Sequence, residues 1–228
     1  EVKNPLGTLL LGVDYLAERC AGDDPKVTTL LDDMRTCVRR ADGVVRGLLD
    51  FAAPRELIAE PTDIHDVVKH SLILASGELL SAHVEVVLDL PPDLPRLVLD
   101  AQKMEQVFVN LVMNACHAMK AGGAVTIRAR ADAPGSSVRL DVEDTGAGVP
   151  PDKLDRVFDP FFTTKPPGQG TGLGMSVCRS ILRLHGGTIE ICNRVEGGAR
   201  VSMVLPLKSP DRSKMSCHEQ ESLSSTTK

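Results

Sequence analysis

The chain has 228 residues, 42% of them hydrophobic, with a formal charge of −5 and few aromatics: Tyr15, five Phe and no Trp. That length holds one substantial core plus a smaller module, built mainly from Leu, Val, Ile and Ala. The acidic balance, with no Lys/Arg stripe to release counterions, argues against a nucleic-acid surface, and no apolar run is long enough to span a bilayer.

No signal peptide opens the chain, and Cys20, Cys37, Cys116, Cys178, Cys192 and Cys217 form no CxxC pair. Such isolated, apolar-flanked cysteines fit buried thiols of a cytosolic protein, so a cytoplasmic chain is expected.

From the N-terminus, Val2, Leu6, Leu9, Val13, Leu16 and Cys20 recur at alternating spacings of four and three, the seam of a coiled coil. After a break at Gly22-Asp23-Asp24-Pro25, the series Leu30, Met34, Cys37, Ala41, Val44, Leu48 and Phe51 repeats it. Two long helices joined by a short turn should pack antiparallel. Leu10, Leu31, Val45 and Leu49 fall outside both seams, and burying them needs a second hairpin, so a homodimer closing a four-helix bundle is expected. Pro5 either occupies a first helical turn, where its missing amide is harmless, or kinks a helix that begins upstream beside Glu1 and Asn4. The opening at Glu1, with no initiator Met or capping residue, favours the second alternative and reads as a piece of a longer protein.

Pro54 and Pro61 bracket a linker in which the heptads stop, so the hairpin domain is placed at residues 1–56. Beyond it, a helix is predicted over Ile64–Leu80, with Val67, Val68, Ser71, Leu72 and Ala75 facing inward. Strands follow at Val84–Leu90 and Leu97–Leu99. Asp100 caps a helix from Ala101 to about Lys120, whose inner face carries Met104, Val107, Phe108, Leu111 and Val112. Strands at Ala124–Ala131 and Val138–Glu143 flank a turn at Pro134-Gly135. A helix over Leu173–Leu184 and a hairpin of Thr188–Cys192 with Ala199–Leu205 complete residues 57–207. The fold class is α+β: a helical hairpin followed by a two-layer α/β sandwich with a mixed sheet. Residues 208–228 lack periodicity and read as a disordered tail.

The chemistry lies in four polar and glycine-rich blocks. No GxxxxGK[ST] loop occurs, which sets aside a Walker-type phosphate cradle. Asn110 and Asn114 share one helix face; they either complete the octahedral shell of a Mg2+ held by nucleotide phosphates or are plain surface amides. Glu105, about one and a half turns earlier, either contacts magnesium-bound water or acts as a general base, or is an ordinary exposed glutamate. Asp144 ends a strand before Gly146 and Gly148, where it either accepts a hydrogen bond from the exocyclic amine of adenine or simply opens a turn. Gly170, Gly172 and Gly174 decide between them: their spacing suits backbone amides around phosphate at the start of a helix whose dipole points at the anion.

With NLVMNA at Asn110–Ala115, DTGAGVP at Asp144–Pro150, FDPFFTTK at Phe158–Lys165 and GQGTGLG at Gly168–Gly174, the chain resembles the catalytic core of a bacterial sensor histidine kinase of the nitrogen-regulation type. Its ATP-binding fold is the one also found in Hsp90, DNA gyrase B and MutL. The resemblance covers roughly Glu1 to Leu207. It implies ATP and Mg2+, with Asn114 the main magnesium ligand, Asn110 beside it and Asp144 the adenine reader. Thr164, Lys165, Gly170, Thr171, Gly172, Leu173 and Gly174 would line the nucleotide, Lys165 as a point charge near the phosphates, and Phe158, Phe161 and Phe162 would anchor the mobile lid. His117 would either touch phosphate or remain a neutral surface imidazole.

EVKNPL matches the family's phosphoacceptor box from the residue after its histidine, so the acceptor is expected immediately before Glu1, and the chain as given should bind ATP without completing autophosphorylation. Neither His65 nor His70 substitutes, because both fall in the second domain. Glu1 would orient or deprotonate the acceptor imidazole, and Asn4 would position water for dephosphorylating a partner response regulator. The implied function is ATP-dependent autophosphorylation of a histidine and transfer to a receiver-domain aspartate. The alternatives are another ATPase of the same fold and a non-catalytic nucleotide-binding signalling module. No nucleic-acid or membrane contact is expected within these residues, while the parent protein remains free to be membrane-anchored.

Overall fold

A computed structural model of the chain describes residues 3–19, 25–52, 57–119, 121–132, 136–165 and 170–207. The chain divides into two compact units, one of residues 1–55 with 155–177, the other of 56–154 with 178–228. The expected turn at Pro134-Gly135 and the expected tail at 208–228 lie outside the described residues.

In the first unit, helices α1 (Lys3–Arg19) and α2 (Pro25–Ala52) pack on one another. Pro25 takes the first helical position, where a missing amide costs nothing. Val13 and Leu31 are buried, and Arg35 Nε lies 2.7 Å from Asp14 Oδ1 between the helices. The expected seam is only partly inside. Leu9, Leu16, Leu30 and Met34 remain 56%, 46%, 60% and 44% exposed, whereas Leu31, expected outside, is covered. A helix pair covers only a narrow stripe of each partner, so a broad apolar face is split between contact and solvent.

The second unit runs β1 (Glu60–Thr62), α3 (Ile64–Leu74), α4 (Ser76–Ser81), β2 (Val84–Asp89), β3 (Leu97–Leu99), α5 (Ala101–Ala118), β4 (Gly123–Ala131) and β5 (Ser137–Asp144). A 3-10 turn at Pro151–Arg156 and helix α6 (Gly174–Leu184) lead to β6 (Thr188–Asn193) and β7 (Ala199–Pro206). The main sheet has the order β2-β4-β5-β7-β6, with β2 parallel to β4 and every other pair antiparallel. It is therefore mixed, and α5 packs on β5. Met104, Val107, Phe108, Leu111 and Val112 of α5 are all buried, as are Val125, Ile127, Leu140, Val142, Met203 and Leu205 on the strands.

Two elements depart from the sequence pattern. The helix expected over Ile64–Leu80 breaks at Ala75, where the Ser76 hydroxyl donates to the Ile73 carbonyl at 2.7 Å and Gly77 weakens helix continuation. Strand β1 is a three-residue element too short to show alternation in the sequence. It pairs antiparallel with β3, Pro61 opposite Val98, in a short edge ribbon that tolerates a residue without an amide proton.

The other face of the sheet is polar. Strand alternation and register align Thr126, Glu143, Arg200 and Cys192 in one row and Asp89, Arg128, Asp141, Ser202 and Glu190 in the next. Glu143 is buried among arginines, with Arg200 Nε at 2.6 Å, Arg128 Nη1 at 2.7 Å and Arg194 Nε at 3.6 Å. Burial alone would raise its carboxyl pKa, but the hydrogen bonds from Arg200 and Arg128 outweigh that and hold it below the ordinary value.

One buried histidine ties the start of α5 to the end of α6. Asp100 caps α5 by accepting the Lys103 amide at 3.1 Å, and its own amide donates to His185 Nε2 at 2.9 Å. His185 Nδ1 lies 2.8 Å from the Ile181 carbonyl, so the ring is neutral with its proton on Nδ1, and burial pushes its pKa down. A histidine with a depressed folded pKa contributes stability in full above its ordinary value of 6.5 and loses it as pH falls. The urea midpoint should therefore drop between about pH 7.5 and about pH 5.5. His185→Ala should destabilise the chain by about 1–3 kcal/mol at the higher pH and flatten that drop; a drop of the same size in the variant would contradict the assignment.

Candidate nucleotide-binding residues

The period of two in β5 turns Glu143 to the polar face and Asp144, the last strand residue, to the opposite one. Asp144 Oδ1 accepts the Gly146 amide at 2.8 Å and the Ala199 amide at 3.2 Å. Among the described residues Oδ2 has no hydrogen-bond partner. The carboxylate is thus pinned through one oxygen and presents the other.

The loop after Asp144 lies against the C-terminal end of α5. Thr145 Oγ1 accepts the Ala124 amide at 3.0 Å, and the Ala147 amide reaches the Ala118 carbonyl at 3.4 Å. A Cβ at Gly146 would sit 2.8 Å from both the Cβ and the carbonyl oxygen of Ala118. Close approach to α5 therefore already requires glycine at 146, independently of any ring. Gly148 follows, beside the Asn193 amide.

Asn110 and Asn114 lie one turn apart on α5, both half-buried. The Asn110 side chain is in hydrogen-bonding contact with the Cys178 thiol of α6, which burial pushes up to about 12 against the opposing effect of that amide. Glu105 does not join them. At roughly 100° per residue it lies about 180° around the helix from Asn114, and its Oε1 is 3.2 Å from His70 Nδ1 of α3. Glu105, expected to contact magnesium-bound water or act as general base, thus lies away from the asparagine face, with its carboxylate in the α3–α5 contact. His117, in the last turn of α5, is exposed with Nε2 3.9 Å from Glu78 Oε1 of α4.

The expected lid residues belong to the first unit. Phe158 is buried, but Phe161 is 60% exposed and Phe162 stacks under the Arg156 guanidinium, 4.7 Å from the ring centre. Only one of the three rings therefore behaves as an apolar anchor here. Thr164 is exposed, and the Lys165 amide donates to Thr163 Oγ1 at 3.2 Å. A Cβ at Gly170 would lie 3.1 Å from Lys165 Cδ, so the two ends of the segment approach one another. Residues 166–169, with Gly168 and Gln169, are outside the described residues. Thr171 Oγ1 accepts the Leu173 amide at 3.4 Å, Gly172 has φ +67° against the Phe161 backbone, Leu173 is buried, and Gly174 begins α6.

Asn4 falls within α1, and Glu1 lies outside the described residues. Asn193, Arg194 and Ala199, which contact the Asp144 loop, escaped the sequence reading because they stand 44 to 55 residues from their partners and belong to no spaced motif. Among the described residues no helix is long and apolar enough to cross a membrane.

Residues 99–209 match the family described as histidine kinase-, DNA gyrase B-, and HSP90-like ATPase. The sensor histidine kinase ZraS of Escherichia coli K12 is 33% identical over 91% of this chain and 43% of its own length. The sensor kinase CckA of Brucella abortus is 34% identical over 90% of this chain and 23% of its own. The chain thus spans less than half the length of these curated relatives. Full-length ShkA in complex with AMPPNP superposes with a TM-score of 0.75 at 26% identity, covering 92% of this chain and 44% of that one. The nucleotide-free catalytic domain of the histidine kinase ThkA superposes with 0.58 at 28% identity, covering 67% and 99%. Joined to a strand-end aspartate fixed by backbone amides and a helix bearing paired asparagines, these matches place the chain in the histidine kinase-, DNA gyrase B- and HSP90-like ATPase family, as a catalytic domain of the sensor histidine kinase kind.

Proposed function

We propose that this chain is the ATP-dependent catalytic core of a dimeric protein histidine kinase, which phosphorylates a histidine and passes the phosphoryl group to an aspartate of a response-regulator receiver domain. The observation that carries the reading is the half-satisfied carboxylate of Asp144. Oδ1 is fixed by two backbone amides and Oδ2 is left as an acceptor, which suits the exocyclic amine of adenine. The amide oxygens of Asn114 and Asn110 are neutral, as expected of ligands to a Mg2+ that already carries phosphate oxygens. Bound ATP with Mg2+ supplies the transferable γ-phosphoryl group and the charge that offsets its repulsion. Asp144 would hold the base and Asn114 and Asn110 would hold the metal, while Lys165 is assigned a charge-offsetting role on the strength of its motif alone. Thr164, Gly170, Thr171, Gly172, Leu173 and Gly174 contribute lid and backbone donors, on the strength of their motif. Glu1 and Asn4 are assigned to the acceptor side, orienting the imidazole and a hydrolytic water respectively.

The hairpin supports the dimer. Leu9, Leu16, Leu30 and Met34 are solvent-exposed apolar residues in a single copy, and a second hairpin would cover them as a four-helix bundle. Sedimentation at tens of micromolar should show a dimer, and a monomer would remove this part of the proposal.

Asp144→Asn is expected to weaken ATP binding about tenfold or more, the effect of one charge-assisted hydrogen bond, and Asn114→Asp to reduce magnesium-dependent turnover; titration calorimetry giving wild-type affinity for the first variant would refute the adenine role. With a histidine added before Glu1 and γ-labelled ATP supplied, label should appear on that histidine, acid-labile and alkali-stable. Phosphate release without label would indicate a hydrolase of this fold, and nucleotide binding without either would indicate a signalling module.

A further inference from the structure

We infer that the β6–β7 turn is the template that sets the adenine-reading loop, with Asn193 and Arg194 as positioning residues that act through Asp144. The inference rests on Asp144 reading adenine, as proposed above.

The turn grips the loop at both ends. At the far end, the Asn193 side chain bonds both backbone groups of Val149: Oδ1 accepts its amide at 2.8 Å and Nδ2 donates to its carbonyl at 2.6 Å. One primary amide thus does what a neighbouring strand's peptide would do. At the near end, Arg194 Nη1 donates to the Asp144 carbonyl at 2.9 Å. The guanidinium forms an ion pair with Glu143 at 3.6 Å, its buried Nε making no hydrogen bond among the described residues, and the Glu143 oxygens are fixed by Arg128 and Arg200. The polar face of the sheet is thereby linked through one arginine to the backbone of the residue on its other face.

The turn also touches the reading group. The Ala199 amide takes Asp144 Oδ1 at 3.2 Å, which determines which carboxylate oxygen stays open. Gly198, at φ +84°, allows this proximity: a Cβ there would collide with the Asp144 carbonyl oxygen. Between these anchors the loop's other hydrogen bonds among the described residues go to Ala118, Met119, Ala124 and Asp144 itself. A hydrogen bond to a base depends on geometry within fractions of an ångström, so releasing either anchor should cost base recognition rather than phosphate affinity.

The test compares binding of ATP with that of purine riboside triphosphate, which lacks the exocyclic amine, to the full chain and to Asn193→Ala, Arg194→Met and Arg194→Lys, each with its thermal midpoint. The wild-type chain should prefer ATP by about tenfold. In Asn193→Ala and Arg194→Met that preference should fall below about threefold while affinity for the amine-free analogue is kept, and Arg194→Lys, which retains a donor, should recover part of it. Asn193 is exposed, so its removal leaves the core intact even if the arginine variant folds poorly. Wild-type preference retained in both variants, or affinity for the two nucleotides lost in equal proportion, overturns the inference alone. A wild-type chain with no preference overturns the adenine reading and this inference with it.

Discussion

The register of β5 is the constraint on which the rest depends. Pairing with β4 on one side and β7 on the other fixes Thr126 opposite Glu143, Val125 opposite Asp144, and Glu143 opposite Arg200. Because a strand alternates its faces, two adjacent acids acquire opposite surroundings: Glu143 sinks among arginines and Asp144 turns toward the α5 side. A slip of one residue would exchange them and place the arginine-binding acid where the reading acid belongs. Flanking antiparallel strands make that slip expensive, since it would also carry Leu140 and Val142 out of the core.

How much was legible in the sequence follows from how local each determinant is. Helix α5 was readable because its cap, its inner face and its paired asparagines all obey one 3.6-residue period within a single segment, and β4, β5, β6 and β7 were readable from alternation. The break at Ala75 was not, since apolar periodicity continues through it while a serine hydroxyl and Gly77 interrupt the backbone pattern. Glu105 shows the limit of counting turns along a helix. Its rotation from Asn114 was computable, but that it faces α3 and meets His70 depends on packing between elements. Asn193 and Arg194 lay further out of reach, because side-chain mimicry of a strand neighbour has no sequence signature.

The hairpin and the lid share a lesson about apolar residues. The heptads of α1 and α2 correctly indicated helices, yet one copy covers Val13 and Leu31 while leaving Leu30 and Met34 in water. In the lid, three phenylalanines of one motif take three different environments: buried, exposed at positive φ, and stacked on arginine. Hydrophobic pattern shows what needs covering; it does not say whether the cover comes from the same unit, a second copy or a bound molecule.

Cys178 gives the α5–α6 contact a built-in clock. Its thiol is fully buried, meets the Asn110 side chain and is pushed up to about 12 by burial, so an alkylating reagent cannot attack it in the closed structure. Modification must wait for α6 to part from α5, and when closing is fast relative to labelling the observed rate is the opening equilibrium multiplied by the intrinsic reactivity of the exposed thiol. The same asparagine face assigned to the metal therefore has its breathing recorded by the residue underneath it.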